Sequence, residues 1–203
     1  MESAALIIFI KNPVLGRVKT RLAETVGKAR ALEIYRLLLA HTRRVALAVE
    51  VDRLLYYSRY IDRADEWPAP PFQKFRQEGA DLGARMADAF DRTLRDYEKA
   101  VLIGSDCAEL TPAILRTAFR RLDEYDLVIG PAVDGGYYLI GLRHPTPALF
   151  RQMTWSTAEV LSETLQRAEG LGKSSYRLPE LSDIDTEADW KRIRLSSPYF
   201  SSE

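Results

Sequence analysis

The sequence predicts a single-domain α/β fold in which helices cover a mostly parallel sheet. Three observations lead there. The chain has 203 residues, enough for one sizeable core and short for two ordinary domains. Its 46% hydrophobic and 29% charged residues are the balance of a soluble globular protein. Short apolar runs alternate with longer segments of helical period, the order of strands joined by crossover helices.

Strands are predicted at Ala4 to Ile10, Leu54 to Ser58, Ala100 to Ile103, Leu127 to Gly130 and Tyr137 to Leu142. Between the first two, Tyr35, Leu38, Leu39, Val45, Ala46 and Val49 recur at helical spacing and should face the sheet. A second helix is expected over Leu82 to Tyr97. A third runs from Pro112 to about Asp123, with Thr111 as its N-cap and the proline in its first turn. Three prolines in the five residues Trp67 to Pro71 make that segment a loop or edge connection. The domain is read as residues 1–195, and SSPYFSSE (196–203) as a frayed tail.

Composition narrows the function. Twenty-nine basic residues balance twenty-nine acidic ones, which argues against nucleic-acid binding through an overall field. The apolar run at the N-terminus follows no basic segment and carries no cleavage pattern, so it reads as a strand. No stretch approaches the roughly 18 apolar residues of a membrane span. The single cysteine, Cys107, cannot form an internal disulfide, and a cytoplasmic location is the expectation. Zinc is disfavoured, because Cys107 stands alone and His41 and His144 lack ligand-like spacing.

The first strand is followed by KNPVLGRVKTRL, a turn-rich loop with Pro13 and Gly16 that enters a helix near Lys19. Ligands of parallel α/β sheets bind at such a place, beyond the carboxyl end of a strand. Lys11, Arg17, Lys19 and Arg21 put four cations into eleven residues with no acid, which suits a di- or triphosphate; the bland alternative is a solvated basic turn. The Walker A spacing is absent. Further on, QEGADLGARM sets Gln77, Gly79 and Gly83 between a strand and the second helix. There glycines would let a flat base approach and an amide would read its edge, although a plain turn explains the same residues.

Three acidic positions stand out. Asp106 lies just past a buried strand and is not needed as a helix cap, since Thr111 serves there. Asp183 and Asp185 alternate in LSDIDTEADW and would share one side of an extended segment, unless Asp185 or Thr186 simply caps the last helix. Mg²⁺ takes one or two carboxylates plus substrate phosphates, which this set would supply. In GPAVDGGYYLIGL, Asp134, Gly135 and Gly136 form either a hairpin-like turn or an acceptor-binding edge. Trp155, Ser156 and Thr157 open the WSTAEV segment, where a helix start would cap itself or hold an acceptor's phosphate or carboxylate.

The runs FIKNPVLGRVKTRL, GSDCAEL, GPAVDGGYYLIGL, WSTAEV and LSDIDTEADW, spread over nearly the whole chain, resemble the bacterial radical-SAM/selenodomain-associated glycosyltransferase-like proteins. That resemblance implies a GT-A, nucleotide-diphospho-sugar transferase-like three-layer sandwich. It also implies a more distant kinship with 2-phospholactate guanylyltransferase, clearest at Lys19 to Leu22 and in the Asp183–Asp185 pair, and with the molybdenum-cofactor guanylyltransferase. Ala108 stands where the related pattern has proline, and Gly-Gly-Tyr-Tyr replaces a Gly-Gly-Thr-Asn type. By implication Lys11, Lys19 and Arg21 hold phosphates, Gln77, Gly79 and Gly83 lie near the base, and Asp106, Asp183 and Asp185 hold Mg²⁺ or Mn²⁺. The expected activity is nucleotidyl transfer from a nucleoside triphosphate to a small phosphorylated or acidic acceptor, with Lys19, Arg21 and Asp106 at the chemistry. Glycosyl transfer from a nucleotide-diphosphate sugar is the alternative, and a non-catalytic nucleotide-binding regulator a second.

Overall fold

The computed structural model describes residues 3–196 and 199–200. Seven strands form one sheet in the order β3-β2-β1-β4-β6-β5-β7. They are β1 (Ala4–Ile10), β2 (Asp52–Tyr57), β3 (Phe72–Arg76), β4 (Lys99–Ile103), β5 (Leu127–Pro131), β6 (Tyr137–Leu142) and β7 (Ser175–Arg177). Only β6 runs antiparallel to its neighbours, β4 and β5. The carboxyl ends of the parallel strands therefore share one edge.

Side chains alternate across β1, and each set meets its own helix layer. Leu6, Ile8 and Ile10 pack with Tyr35 and Leu39 of α2 (Lys28–Leu47) and with Leu115 and Phe119 of α4 (Pro112–Arg121). Ala5, Ile7 and Phe9 pack with Met86 and Phe90 of α3 (Leu82–Thr93) and with Ala168 of α5 (Val160–Gly170). The result is the three-layer, mostly parallel α/β sandwich expected. Thr111 caps α4 by accepting from Ile114 N, with Pro112 behind it.

A third cluster joins α1 (Thr20–Val26) and α2 to α6 (Glu187–Ser196). Here the structure corrects the expected frayed tail. Ser196 closes α6, and Phe200 is fully buried against His41 and Trp190 with Tyr199 at its side. Residues 197, 198 and 201–203 of that segment lie outside the described residues. No helix among the described residues is long and apolar enough to cross a membrane.

Candidate active site

Three chain segments meet at the carboxyl edge of the sheet. The loop after β1 supplies Lys11 to Arg21, the loop after β4 supplies Asp106, and the stretch after β7 supplies Asp183 and Asp185. The last stretch is held by backbone and side-chain bonds to both neighbours. Leu181 N donates to Pro131 O, Ser182 N to Glu109 Oε2, and Ile184 N to Asp106 O. Asp106 and Asp185 are thus neighbours although 79 positions separate them in sequence.

Between them lies Lys19. Its backbone is left-handed (φ 46°, ψ 49°), a region that few non-glycine residues adopt, and its side chain is 4% exposed. The ammonium lies 2.9 Å from Asp106 Oδ1 and 3.5 Å from Asp185 Oδ1, and Arg21 reaches Asp185 Oδ2 at 3.3 Å. Lys11, Arg17, Lys19, Arg21, Asp106 and Asp185 line one cavity of about 130 Å³. The basic loop after β1 and the carboxylates Asp106 and Asp185 therefore line a single cavity.

Asp183 stands behind this pair. Burial pushes its carboxyl up to about 7, helped by the charges of Asp106, Asp134 and Asp185 and opposed by Lys19. Among the described residues no three His, Cys, Asp or Glu side chains are arranged as a metal cage. Two carboxylates nonetheless converge on one cation, the Lys19 ammonium, and hard oxygen donors completed by substrate phosphates are what Mg²⁺ or Mn²⁺ takes. Asp106 and Asp185 are the oxygen donors that fit such an ion.

Other expected contacts are used by the protein itself. Gln77 Nε2 donates to Ile10 O and Tyr56 O, tying the ends of β1 and β2, so its donors do not face a base. A Cβ on Gly79 would meet Arg85 N at 2.6 Å, and one on Gly83 would meet the Trp155 ring at 2.6 Å. On the side where a Cβ would stand, both glycines are packed against protein. Asp134 accepts from Gly136 N, so the Asp134-Gly135-Gly136 turn is self-bonded at its tip, next to Asp183. Ser156 has φ 67° and does not open a helix; α5 begins at Val160, and Thr157 Oγ1 donates to Thr154 O. The last helix is capped by reciprocal bonds between Thr186 and Asp189, which frees Asp185.

Tyr35, a core residue by its spacing, has a functional address. Its hydroxyl donates to Lys11 O, accepts from Lys11 N, and lies 3.2 Å from Ser105 Oγ, beside Asp106. A tyrosine in an otherwise aliphatic helix face needs a partner for its hydroxyl, and that was the available signal. Asn12, also passed over, is buried and accepts from Arg59 N and Tyr60 N while its amide donates to Tyr60 O.

No curated protein matches the sequence significantly. Among solved structures, a protein of Desulfovibrio desulfuricans G20, provisionally assigned as a nucleotide-diphospho-sugar transferase, is 31% identical over 99% of this chain and 94% of its own, with a TM-score of 0.89. The inositol-1-phosphate CTP transferase of T. maritima is 15% identical over 93% and 92%, TM-score 0.63. Rv0371C of Mycobacterium tuberculosis H37Rv, solved as a complex with manganese, is 15% identical over 97% and 100%, TM-score 0.55. The last two likenesses are of fold. With residues 40–157 matched by the family model, the chain belongs to the family described as uncharacterized protein conserved in bacteria (DUF2064).

Proposed function

We propose that the chain is a metal-dependent nucleotidyltransferase. An oxygen of a small phosphorylated or acidic acceptor attacks the α-phosphorus of a nucleoside triphosphate, and pyrophosphate leaves. The observation that carries this reading is the convergence of Lys11, Lys19 and Arg21 with Asp106 and Asp185 on one cavity. The manganese complex of Rv0371C and the CTP transferase, which share the fold, support it. So does the resemblance of Lys19 to Leu22 and of the Asp183–Asp185 pair to 2-phospholactate guanylyltransferase.

In this reading Asp106 and Asp185 would hold a divalent ion, which would supply charge neutralisation of the phosphate oxygens. Lys11 and Arg21 take further phosphate oxygens by charge-assisted bonds, and Lys19 turns from carboxylate to phosphate as the nucleotide arrives. Tyr35 fixes the backbone of Lys11 relative to the Asp106 loop, so positioning rather than covalent help sets the rate. The Asp134-Gly135-Gly136 turn and the Trp155 to Thr157 segment would border the acceptor.

Glycosyl transfer is the second reading, favoured by the assignment of the Desulfovibrio protein. Products separate the two. Incubation with pooled triphosphates or, separately, pooled nucleotide sugars, each with Mn²⁺ and a metabolite fraction as acceptor, should give pyrophosphate in the first and no nucleoside diphosphate in the second. The opposite pattern makes the protein a glycosyltransferase. Asp106→Asn should abolish the turnover and leave the unfolding temperature near wild type. Turnover that survives in this variant, or in excess chelator, removes the proposed site.

A further inference from the structure

A second cavity adjoins the first and contains no acid. Its volume is about 290 Å³ against 130 Å³ for the carboxylate-lined one, and it shares Lys11 and Arg17 with it. Arg59 from the loop after β2 and Arg85 from the first turn of α3 bring the cations in its lining to four, beside Asn12 and Ser58. Among the described residues no ion pair joins Lys11, Arg17, Arg59 or Arg85 to a carboxylate, although all four line this one cavity.

This lining is built. Buried Asn12 clamps the backbone of Arg59 and Tyr60 to the β1 loop, which brings Arg59 to the side of Lys11. Arg85 is held through Nε, which donates to Gly79 O, so its outer N–H groups remain for a ligand. Gly79 makes that approach possible, because a Cβ there would strike Arg85 N. The four side chains line one cavity that no acid enters, so an anion there would meet only positive charge.

We propose that this pocket is a second phosphate subsite, taking an anionic group of a substrate while the reacting phosphate lies over Lys19. The inference rests on the nucleotidyltransferase reading for the identity of that substrate. The same chemistry has two sources: the distal phosphates of the triphosphate, or a phosphate on the acceptor. Lys11 and Arg17, common to both cavities, would bridge them.

Calorimetry with two probes tests it: inorganic tripolyphosphate alone, and glycerol phosphate in the presence of tripolyphosphate. The variants are Arg59→Gln with Arg85→Gln, the exposed Arg59→Gln alone should the pair fail to fold, and Lys19→Met with Arg21→Gln. We expect the Arg59/Arg85 variant to bind tripolyphosphate at least about tenfold more weakly, the scale of one lost charge-assisted bond, which identifies the donor's phosphates. Weakening confined to glycerol phosphate identifies the acceptor's phosphate and equally supports the subsite. Unchanged affinity for both probes overturns it. If the Lys19/Arg21 variant binds both probes as wild type does while the Arg59/Arg85 variant does not, the subsite stands and the proposed function falls.

Discussion

The Lys19 ammonium lies 2.9 Å from Asp106 Oδ1 and 3.5 Å from Asp185 Oδ1, so one side chain of the first loop is the counter-ion for two carboxylates from other segments. Lys19→Met keeps the bulk and removes the charge. In chelator this variant should lose about 1–2 kcal/mol of stability, less than a fully buried pair would lose because Asp106 and Asp185 are 37% and 38% exposed. A divalent ion placed between the same carboxylates would replace the missing charge. Mn²⁺ should therefore raise the unfolding temperature of Lys19→Met more than that of wild type. Equal shifts would show that the ion does not use the place the ammonium holds.

Asp183 makes stability depend on pH in a direction opposite to most carboxylates. Its carboxyl is raised to about 7 by burial and by neighbouring carboxylates. Between the ordinary carboxylate range and pH 7 the unfolded chain gives up this proton while the native one keeps it, so stability falls as pH rises, by at most about 1.4 kcal/mol per pH unit. Below that range both states hold the proton and the slope vanishes. Asp183→Asn should make the change in stability between pH 4 and 7 less negative and be more stable than wild type at pH 8 in chelator. Urea titrations at four pH values measure it, and parallel curves for the two proteins would contradict the assignment.

The central sheet was legible because its strands are buried on both faces and carry unbroken apolar runs, as in Ala4–Ile10. The position of Asp106 was legible for a related reason: Thr111 and Pro112 already accounted for the next helix start. Long-range effects were not. Strand β7 is three residues long and is defined only by its ladder to β5, so Ser175–Arg177 carries no signal of its own. In the sequence the cations of the first loop and the carboxylates Asp106 and Asp185 lie in separate segments. In the fold, Lys19 is neutralised by two acids that lie far off in sequence. Gly83 looked like a ligand contact because sequence does not reveal that Trp155 packs there. Arg59 and Arg85 were invisible as a pair, since nothing local to either points to the other.

Tyr35→Phe removes one oxygen and leaves the ring in the core. The hydroxyl is bonded to both backbone groups of Lys11 and to Ser105, so the variant should lose about 1–3 kcal/mol and loosen the β1 loop relative to Asp106. Because the side chain positions rather than contacts the phosphates, KM for the nucleotide should rise while Mn²⁺ affinity in the absence of nucleotide stays near wild type. A loss of stability with unchanged KM would make Tyr35 a core residue only.

The turn bearing Gly135 is joined to the segment that leads into α5. Leu161 N donates to Gly135 O, and Gly135 has φ 87°. A Cβ there would meet Ala158 O at 2.2 Å, its Cα at 2.5 Å and its carbonyl carbon at 2.7 Å, all backbone atoms that no rotamer change relieves. Gly172 supplies the control, with φ 67° and nothing within 4 Å of an added Cβ. Gly172→Ala should cost about 1 kcal/mol from backbone strain alone. Gly135→Ala adds the collision and should cost about 2–4 kcal/mol, with the Trp155 environment disturbed because the same segment carries it. Urea unfolding read by circular dichroism gives both stabilities, and tryptophan emission reports the segment. Were the two substitutions to cost the same, with emission unchanged, the turn would be independent of the 154–161 segment, and an acceptor bordered by both would need another wall.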